Sequence, residues 1–216
     1  MNDKPLIHIV DDDEALAAST ALLLESMGWE TARWNSGELF LAEADLTRPG
    51  CIVLDVQMPG MDGLAVQDAL TRRNCSLPVL FLTAHGSIPM AVRAVHGGAA
   101  DFLEKPVEPM ALLARVAQCA AKSTALVAAE RLAADRRARF ESLTPRERDV
   151  IDGVLRNLAN KEIARELGIE VSTIKMHRAN AFAKLGVHSP GELWKLASES
   201  GLTPEGAEPM DVKGDD

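Results

Sequence analysis

Between residues 6 and 121 the chain alternates short apolar runs with longer amphipathic stretches, five of each. The apolar runs are Leu6–Val10, Trp29–Trp34, Cys51–Asp55, Leu77–Thr83 and Ala100–Leu103. The amphipathic stretches are Glu14–Met27, Ser36–Ala44, Gly63–Arg73, Pro89–His96 and Pro109–Ala121. Five β–α units in series predict a parallel sheet covered by helices on both faces. Right-handed crossovers prune the topologies, and the flavodoxin-like order 2-1-3-4-5 sets the first strand beside the third. Ligands of such sheets sit in the crevice beyond the carboxyl ends of the strands, where the order reverses.

Those strand ends carry the chemistry. The first gives Asp11-Asp12-Asp13, the third Asp55, the fourth Thr83-Ala84, and the fifth leads into Lys105-Pro106. Crowded carboxylates repel one another, which is costly without a cation, and an oxygen-lined pocket suits Mg²⁺. A metal, a fixed ammonium and a hydroxyl donor make a phosphoryl-transfer kit. An aspartate at its centre can itself be the nucleophile and form an acyl phosphate. Taken singly each piece is ordinary: acidic runs are usually solvated and Lys-Pro is usually a turn. Their coincidence at successive strand ends is what points to a site.

A length of 216 residues is comfortable for two domains. The three cysteines, Cys51, Cys75 and Cys119, are scattered and form no CxxC pair, which argues against a disulfide framework or a zinc site. No signal peptide and no apolar run of membrane-spanning length is evident in the sequence. The net charge of −9 is unevenly spread. Residues 1–122 carry −7, 123–141 carry +1, 142–204 carry +1 and 205–216 carry −4. The overall acidity therefore does not exclude nucleic-acid binding by the third segment.

Residues 110–140 lack Gly and Pro and predict a long helix leaving the first domain, with a weak stripe of Leu112, Val116, Cys119, Leu126, Ala133 and Phe140. A solvated connector and a dimerising coiled coil are equally compatible with it. Residues 142–200 predict helices only, at about 145–156, 160–167, 171–185 and 190–199. Thr144, Pro145 and Glu147 form a capping-box start, and Asn157 and Gly168 are helix ends. Ile163, Ala164, Leu167, Ile174, Phe182 and Leu185 recur at helical spacing as a small core. The helix–Gly turn–helix around Gly168 fits a DNA-reading module and a protein-binding helical bundle equally well. Residues 205–216 are expected to be a disordered acidic tail.

The motifs Val10-Asp11-Asp12, Leu54-Asp55, Met58-Pro59-Gly60-Met61-Asp62-Gly63, Thr83-Ala84 and Phe102-Leu103-Glu104-Lys105-Pro106 resemble the receiver domain of two-component response regulators, over about residues 4–122. The run His85–Val95 resembles the FixJ branch. Leu143–Glu147 through Lys184–Val187 resembles the LuxR-type helix-turn-helix of NarL/FixJ regulators, over about residues 142–204. The resemblance implies Asp55 as phosphoacceptor. It implies Mg²⁺ held by Asp12, Asp55 and the backbone carbonyl of Gln57, with Asp11 in the acidic pocket. Thr83 and Lys105 would contact the phosphoryl group, Lys105-Pro106 would be cis, and Phe102 would be an aromatic switch. Lys175, Met176 and Ala179 would face base edges. Asn160, Lys161, Thr173, His177, Arg178 and Lys184 would lie on the phosphate side. The glycine common before Asn160 in the family is Asn157 in this chain.

This organises the chain as a receiver (1–122), a helical linker (123–141), a helix-turn-helix domain (142–204) and the tail. The implied protein is a cytoplasmic, phosphorylation-activated transcription regulator. Its partners would be a sensor histidine kinase, promoter DNA, a second copy on phosphorylation and RNA polymerase, with no membrane. Two other classes stay open from the residues themselves. Asp11-Asp12-Asp13 loosely fits the Asp-x-Asp of haloacid-dehalogenase-type phosphohydrolases, with Asp11 as nucleophile and Asp13 as acid/base. A phosphorylation-independent binder is the other.

Overall fold

The computed structural model describes residues 4–84 and 88–203. The expected acidic tail and the His85-Gly86-Ser87 part of the FixJ-like run lie outside the described residues. The chain divides into two compact units, residues 1–128 and 129–216.

The first unit holds five parallel strands: β1 (Leu6–Val10), β2 (Glu30–Trp34), β3 (Gly50–Leu54), β4 (Val79–Thr83) and β5 (Asp101–Glu104). Their order is β2-β1-β3-β4-β5, as the alternation of segments predicts. Helices α1 (Glu14–Ser26), α2 (Gly37–Glu43), α3 (Gly63–Arg72), α4 (Ile88–His96) and α5 (Pro109–Glu141) complete the order. Every residue of β1, β3 and β4 is buried. A central parallel strand has a helix layer on each face, so apolar residues run continuously rather than alternating with polar ones.

The two-residue period then sorts side chains between two cores. Ile7, Ile9, Cys51, Val53, Leu80 and Leu82 meet α1 and α5 through Ala17, Leu24, Leu112, Val116 and Cys119. Val10, Ile52, Leu54, Val79 and Phe81 meet α2, α3 and α4 through Phe40, Leu64, Val66, Leu70 and Ala94. Truncating a fully buried leucine such as Leu24 to alanine costs about 2–5 kcal/mol by lost transfer energy and the cavity left behind.

The long apolar-stripe helix is continuous from Pro109 to Glu141. Contrary to the reading of the bare sequence, it is long and apolar enough to cross a bilayer by length and composition alone. Alanine supplies much of that hydropathy, and Leu112, Leu113, Val116, Cys119 and Ala120 are buried against the sheet. The stripe ends there: Leu126 is exposed, and Phe140 joins a different core. At the other end of the sheet the buried Ser123 hydroxyl accepts the Gly50 amide at 3.1 Å, fixing α5 to the start of β3.

The second unit is helical: α6 (Pro145–Leu155), α7 (Asn160–Leu167), α8 (Val171–Leu185) and α9 (Pro190–Glu199). Phe140, Val150, Ile151, Ile163, Ala164, Ile174, Ala181, Leu185 and Leu193 form its core, with Leu167 and Phe182 partly buried around it. Gly168 ends α7 at φ 66°, a left-handed position that a glycine takes without steric cost. Asn157 does the same after α6 at φ 61°, so the residue that replaces a glycine adopts the glycine's conformation.

The capping box at Thr144 is present, and its glutamate does a second task. Glu147 accepts from the Thr144 amide at 2.8 Å and from the Lys184 ammonium at 2.6 Å, while itself buried. Those bonds, Lys184 first, hold the Glu147 carboxyl at about 2, below its ordinary value of 4.5. A folded-state value below the unfolded one adds stability that is fully present above pH 4.5 and lost as pH falls towards 2. Urea unfolding followed by Trp194, the one tryptophan of residues 142–204, should therefore show stability falling between about pH 5 and 2. Glu147→Gln should be less stable at pH 7 and should show a flatter acid limb. Parallel pH profiles for the two proteins would refute this coupling.

Candidate functional site

Asp55 directly follows β3 and Asp11 directly follows β1. The register pairs Val10 with Leu54, so the two aspartates lie side by side one step beyond their strands. The Asp55 amide donates to the Val10 carbonyl at 2.9 Å, extending the ladder into the site. Both aspartates are buried, at 5% and 8% exposure, while the adjoining Asp12 faces solvent. Ligand oxygens of Asp11, Asp12 and Asp55 lie within 4.8 Å of one another, an all-oxygen set that fits a hard divalent cation.

Lys105 follows β5, and its amide donates to the Thr83 carbonyl at 2.8 Å. The Lys105 ammonium reaches back across the strand ends to Asp11 at 2.7 Å and Asp55 at 3.3 Å. The Lys105–Pro106 peptide is cis. Burial pushes the Asp11 carboxyl up, an effect that Lys105 and the Asp13 amide partly offset. Thr83 is fully buried at the end of β4. Phe102 on β5 is half-buried, its ring 6.0 Å from that of Phe81 on β4. The Gln57 amide lies 3.4 Å from an Asp55 oxygen.

The loop after β3 explains its own composition. A Cβ on Gly63 would stand 2.1 Å from the Asp55 carbonyl oxygen, so only a glycine lets α3 start against the site. Asp62 then caps α3 by accepting the Ala65 amide at 2.7 Å. The sequence marked Gly63 as part of a turn but carried no sign of this close approach. Asp13 is likewise committed, its carboxylate accepting the Ala15 and Leu16 amides as the cap of α1.

In the second unit α8 carries the expected DNA-facing residues. Lys175, Met176 and Ala179 are exposed on one side, opposite buried Ile174, Ala181 and Leu185. Thr173 and His177 are half-buried beside them, and Lys161 is exposed on α7. Three residues expected on the phosphate side have intramolecular partners. The Arg178 guanidinium donates to the Asn160 side-chain oxygen at 3.2 Å and stacks 5.2 Å from the Phe182 ring centroid. Lys184 is engaged by Glu147. Sequence spacing sets Phe182 one turn from Arg178 on α8, but holds no sign of Asn160 and Glu147, which come from α7 and α6.

The profile of the response regulator receiver domain matches residues 7–117, and that of the luxR family of bacterial regulatory proteins matches residues 141–197. The transcriptional regulatory protein FixJ of Bradyrhizobium diazoefficiens is 38% identical over 202 residues, covering 94% of this chain and 98% of the relative. The tetrathionate response regulatory protein TtrR of Salmonella typhimurium is 40% identical over 187 residues, covering 87% and 89%. Among solved structures, the response regulator StyR superposes with a TM-score of 0.86 at 40% identity, covering 91% of this chain and 99% of that one. A carboxylate–lysine centre at the ends of a 2-1-3-4-5 sheet, joined to a helix-turn-helix unit, agrees with these matches: the chain belongs to the FixJ-like response regulators, phosphorylation-activated transcription regulators with a receiver domain and a LuxR-type DNA-binding domain.

Proposed function

We propose that Asp55 accepts a phosphoryl group from the phosphohistidine of a sensor histidine kinase. The observation that supports this most directly is the Lys105 ammonium held between Asp11 and Asp55 at the crevice of the sheet. An Asp55 carboxylate oxygen attacks phosphorus, the bond to the histidine nitrogen breaks, and the electron pair leaves with the imidazole. Lys105 keeps a fixed positive charge beside the oxygens that gain charge in transfer, where a preorganised group stabilises most. Asp12, Asp55 and the Gln57 carbonyl are the residues we assign to a Mg²⁺ ion, with Asp11 completing the acidic pocket. When bound, that ion supplies further charge neutralisation at the phosphoryl oxygens.

Thr83, buried at the end of β4, is assigned a hydrogen bond to the phosphoryl group. Phe102 is assigned the readout, since its ring already packs on Phe81 and fills space next to Thr83's strand. Movement of Phe102 alters the surface of α4 and β5, where a second phosphorylated copy pairs in this reading. Phosphorylation shifts the balance between two states only as far as the phosphoryl group contacts them differently. Dimerisation then brings two copies of α8 to adjacent half-sites about one helical turn apart. Lys175, Met176 and Ala179 are assigned to base edges, with Asn160, Lys161, Thr173, His177 and Arg178 on the phosphate side. Lys184 belongs with them by position, although Glu147 holds its charge. The domains proposed are 1–122, 123–141, 142–204 and 205–216, in a cytoplasmic protein whose DNA-bound form meets RNA polymerase. Phosphoryl transfer onto its own aspartate and slow loss of that group are the only reactions proposed for it.

Acetyl phosphate should label the wild-type chain in the presence of Mg²⁺ and leave Asp55→Asn unlabelled. Persistent Mg²⁺-dependent labelling of Asp55→Asn, seen by intact-mass spectrometry, would sink the assignment. Lys175→Ala should weaken binding to a selected promoter duplex by about 5- to 150-fold, the range of a base-edge contact. Unchanged affinity at several salt concentrations would remove Lys175 from the DNA face.

A further inference from the structure

We infer that Met176 is a specificity residue that reads the C5-methyl group of a thymine in the major groove. This deepens, and rests on, the assignment of α8 as the recognition helix. The solvent face of α8 includes Ser172, Lys175, Met176, Ala179, Asn180 and Ala183, all exposed, with Lys184 at its end held by Glu147. Their spacing of three and four residues puts them in one stripe along the helix. Ile174, Ala181 and Leu185 are fully buried on the other side. Met176 is thus not a core residue that happens to reach the surface. It is 53% exposed, and among the described residues it belongs to no apolar cluster.

The composition of the stripe selects its occupant. Helix α8 contains no Asp or Glu, although the chain as a whole carries a net charge of −9. Lys175 stands next to Met176, and no carboxylate on α8 opposes it, so the stripe admits a polyanion where a neutral or basic protein groove gains nothing from the charge. Ala179 and Ala183 are one and two turns further on, and their small side chains let the helix approach a surface closely. Met176 is the one side chain of the stripe that is apolar to its tip and longer than a methyl, since the alkyl stem of Lys175 ends in a charge. In the major groove the one apolar feature on base edges is the thymine methyl, which apolar side chains contact. An unbranched thioether with three rotatable bonds reaches and shapes itself to such a group.

The test uses full-length protein activated with beryllofluoride and a randomised duplex library. The selected half-site is resynthesised with each thymine replaced in turn by deoxyuridine, which removes the methyl group and nothing else. At one thymine per half-site the wild type should lose about fourfold in affinity, the value of one buried methyl-sized group. Met176→Ala should bind the thymine and deoxyuridine duplexes equally at that position, and Met176→Gln should do the same. Met176→Leu, which keeps an apolar side chain, should retain most of the ratio. The inference is overturned if the wild type is indifferent to every replacement, or if Met176→Ala keeps the wild-type ratio. Binding of selected and scrambled duplexes with equal affinity at matched salt overturns the DNA-reading assignment of α8 itself, and the two failures are told apart by that control.

Discussion

The Lys105 ammonium is the interaction on which the first unit's site depends. Three carboxylates with ligand oxygens within 4.8 Å of one another stand at the edge of a buried sheet. Like charges about 4 Å apart repel by roughly 4 kcal/mol at the dielectric of a protein surface. Lys105 reaches two of the three, and those are the two that are buried. The exposed Asp12 is left to solvent, the cheapest place for the remaining charge. The backbone bond from Lys105 to the Thr83 carbonyl then fixes the ammonium's root to β4. Charge balance at Asp55 is in this way built from the ends of β1, β3 and β5, with Lys105 also anchored to β4 through its backbone.

Much of this was legible in the order of residues, for a physical reason. The central strands of a parallel sheet are buried on both faces, so β1, β3 and β4 show as nearly continuous apolar runs, and Asp11, Asp55 and Thr83 come where those runs stop. The 2-1-3-4-5 order then makes Asp11 and Asp55 neighbours before any coordinate is known. Strand starts were less legible: β2 begins at Glu30 and β4 at Val79, each one or two residues later than the apolar runs Trp29–Trp34 and Leu77–Thr83. Trp29 and Leu77 are apolar because they pack against the cores, not because they pair in the ladder. Apolar character reports burial, and only indirectly hydrogen bonding.

What the sequence hid are the long-range polar partners. Glu147 announces a capping box within four residues, but its pairing with Lys184 spans 37 positions. Arg178 and Asn160 are separated by 18 positions and meet because α7 packs on α8. The close approach of Gly63 to the Asp55 carbonyl is invisible for the same reason, since no local pattern encodes how near another segment comes. Local rules such as caps, helix ends and period are readable. Contacts made by packing two elements are not, and they redistribute the charges that a helical wheel displays.

That redistribution bears on how the second unit engages DNA. Residues 142–204 carry a net charge of only +1, and two of the cations on α8 are engaged internally. Salt-dependent, sequence-independent affinity scales with the number of phosphates neutralised. One such unit therefore starts from a weak electrostatic hold, and each lost phosphate contact lowers non-specific binding more than it lowers base discrimination. Joining two units converts the second docking event into an intramolecular one with a high effective concentration. A protein whose single DNA-binding unit is electrostatically weak gains most from pairing, so in the function proposed above control of pairing through Asp55 would be control of occupancy. In that proposal the near-neutral charge of the second unit and the buried carboxylate–lysine centre of the first would be two parts of one switch: the weaker the single grip, the more the state of the aspartate would decide.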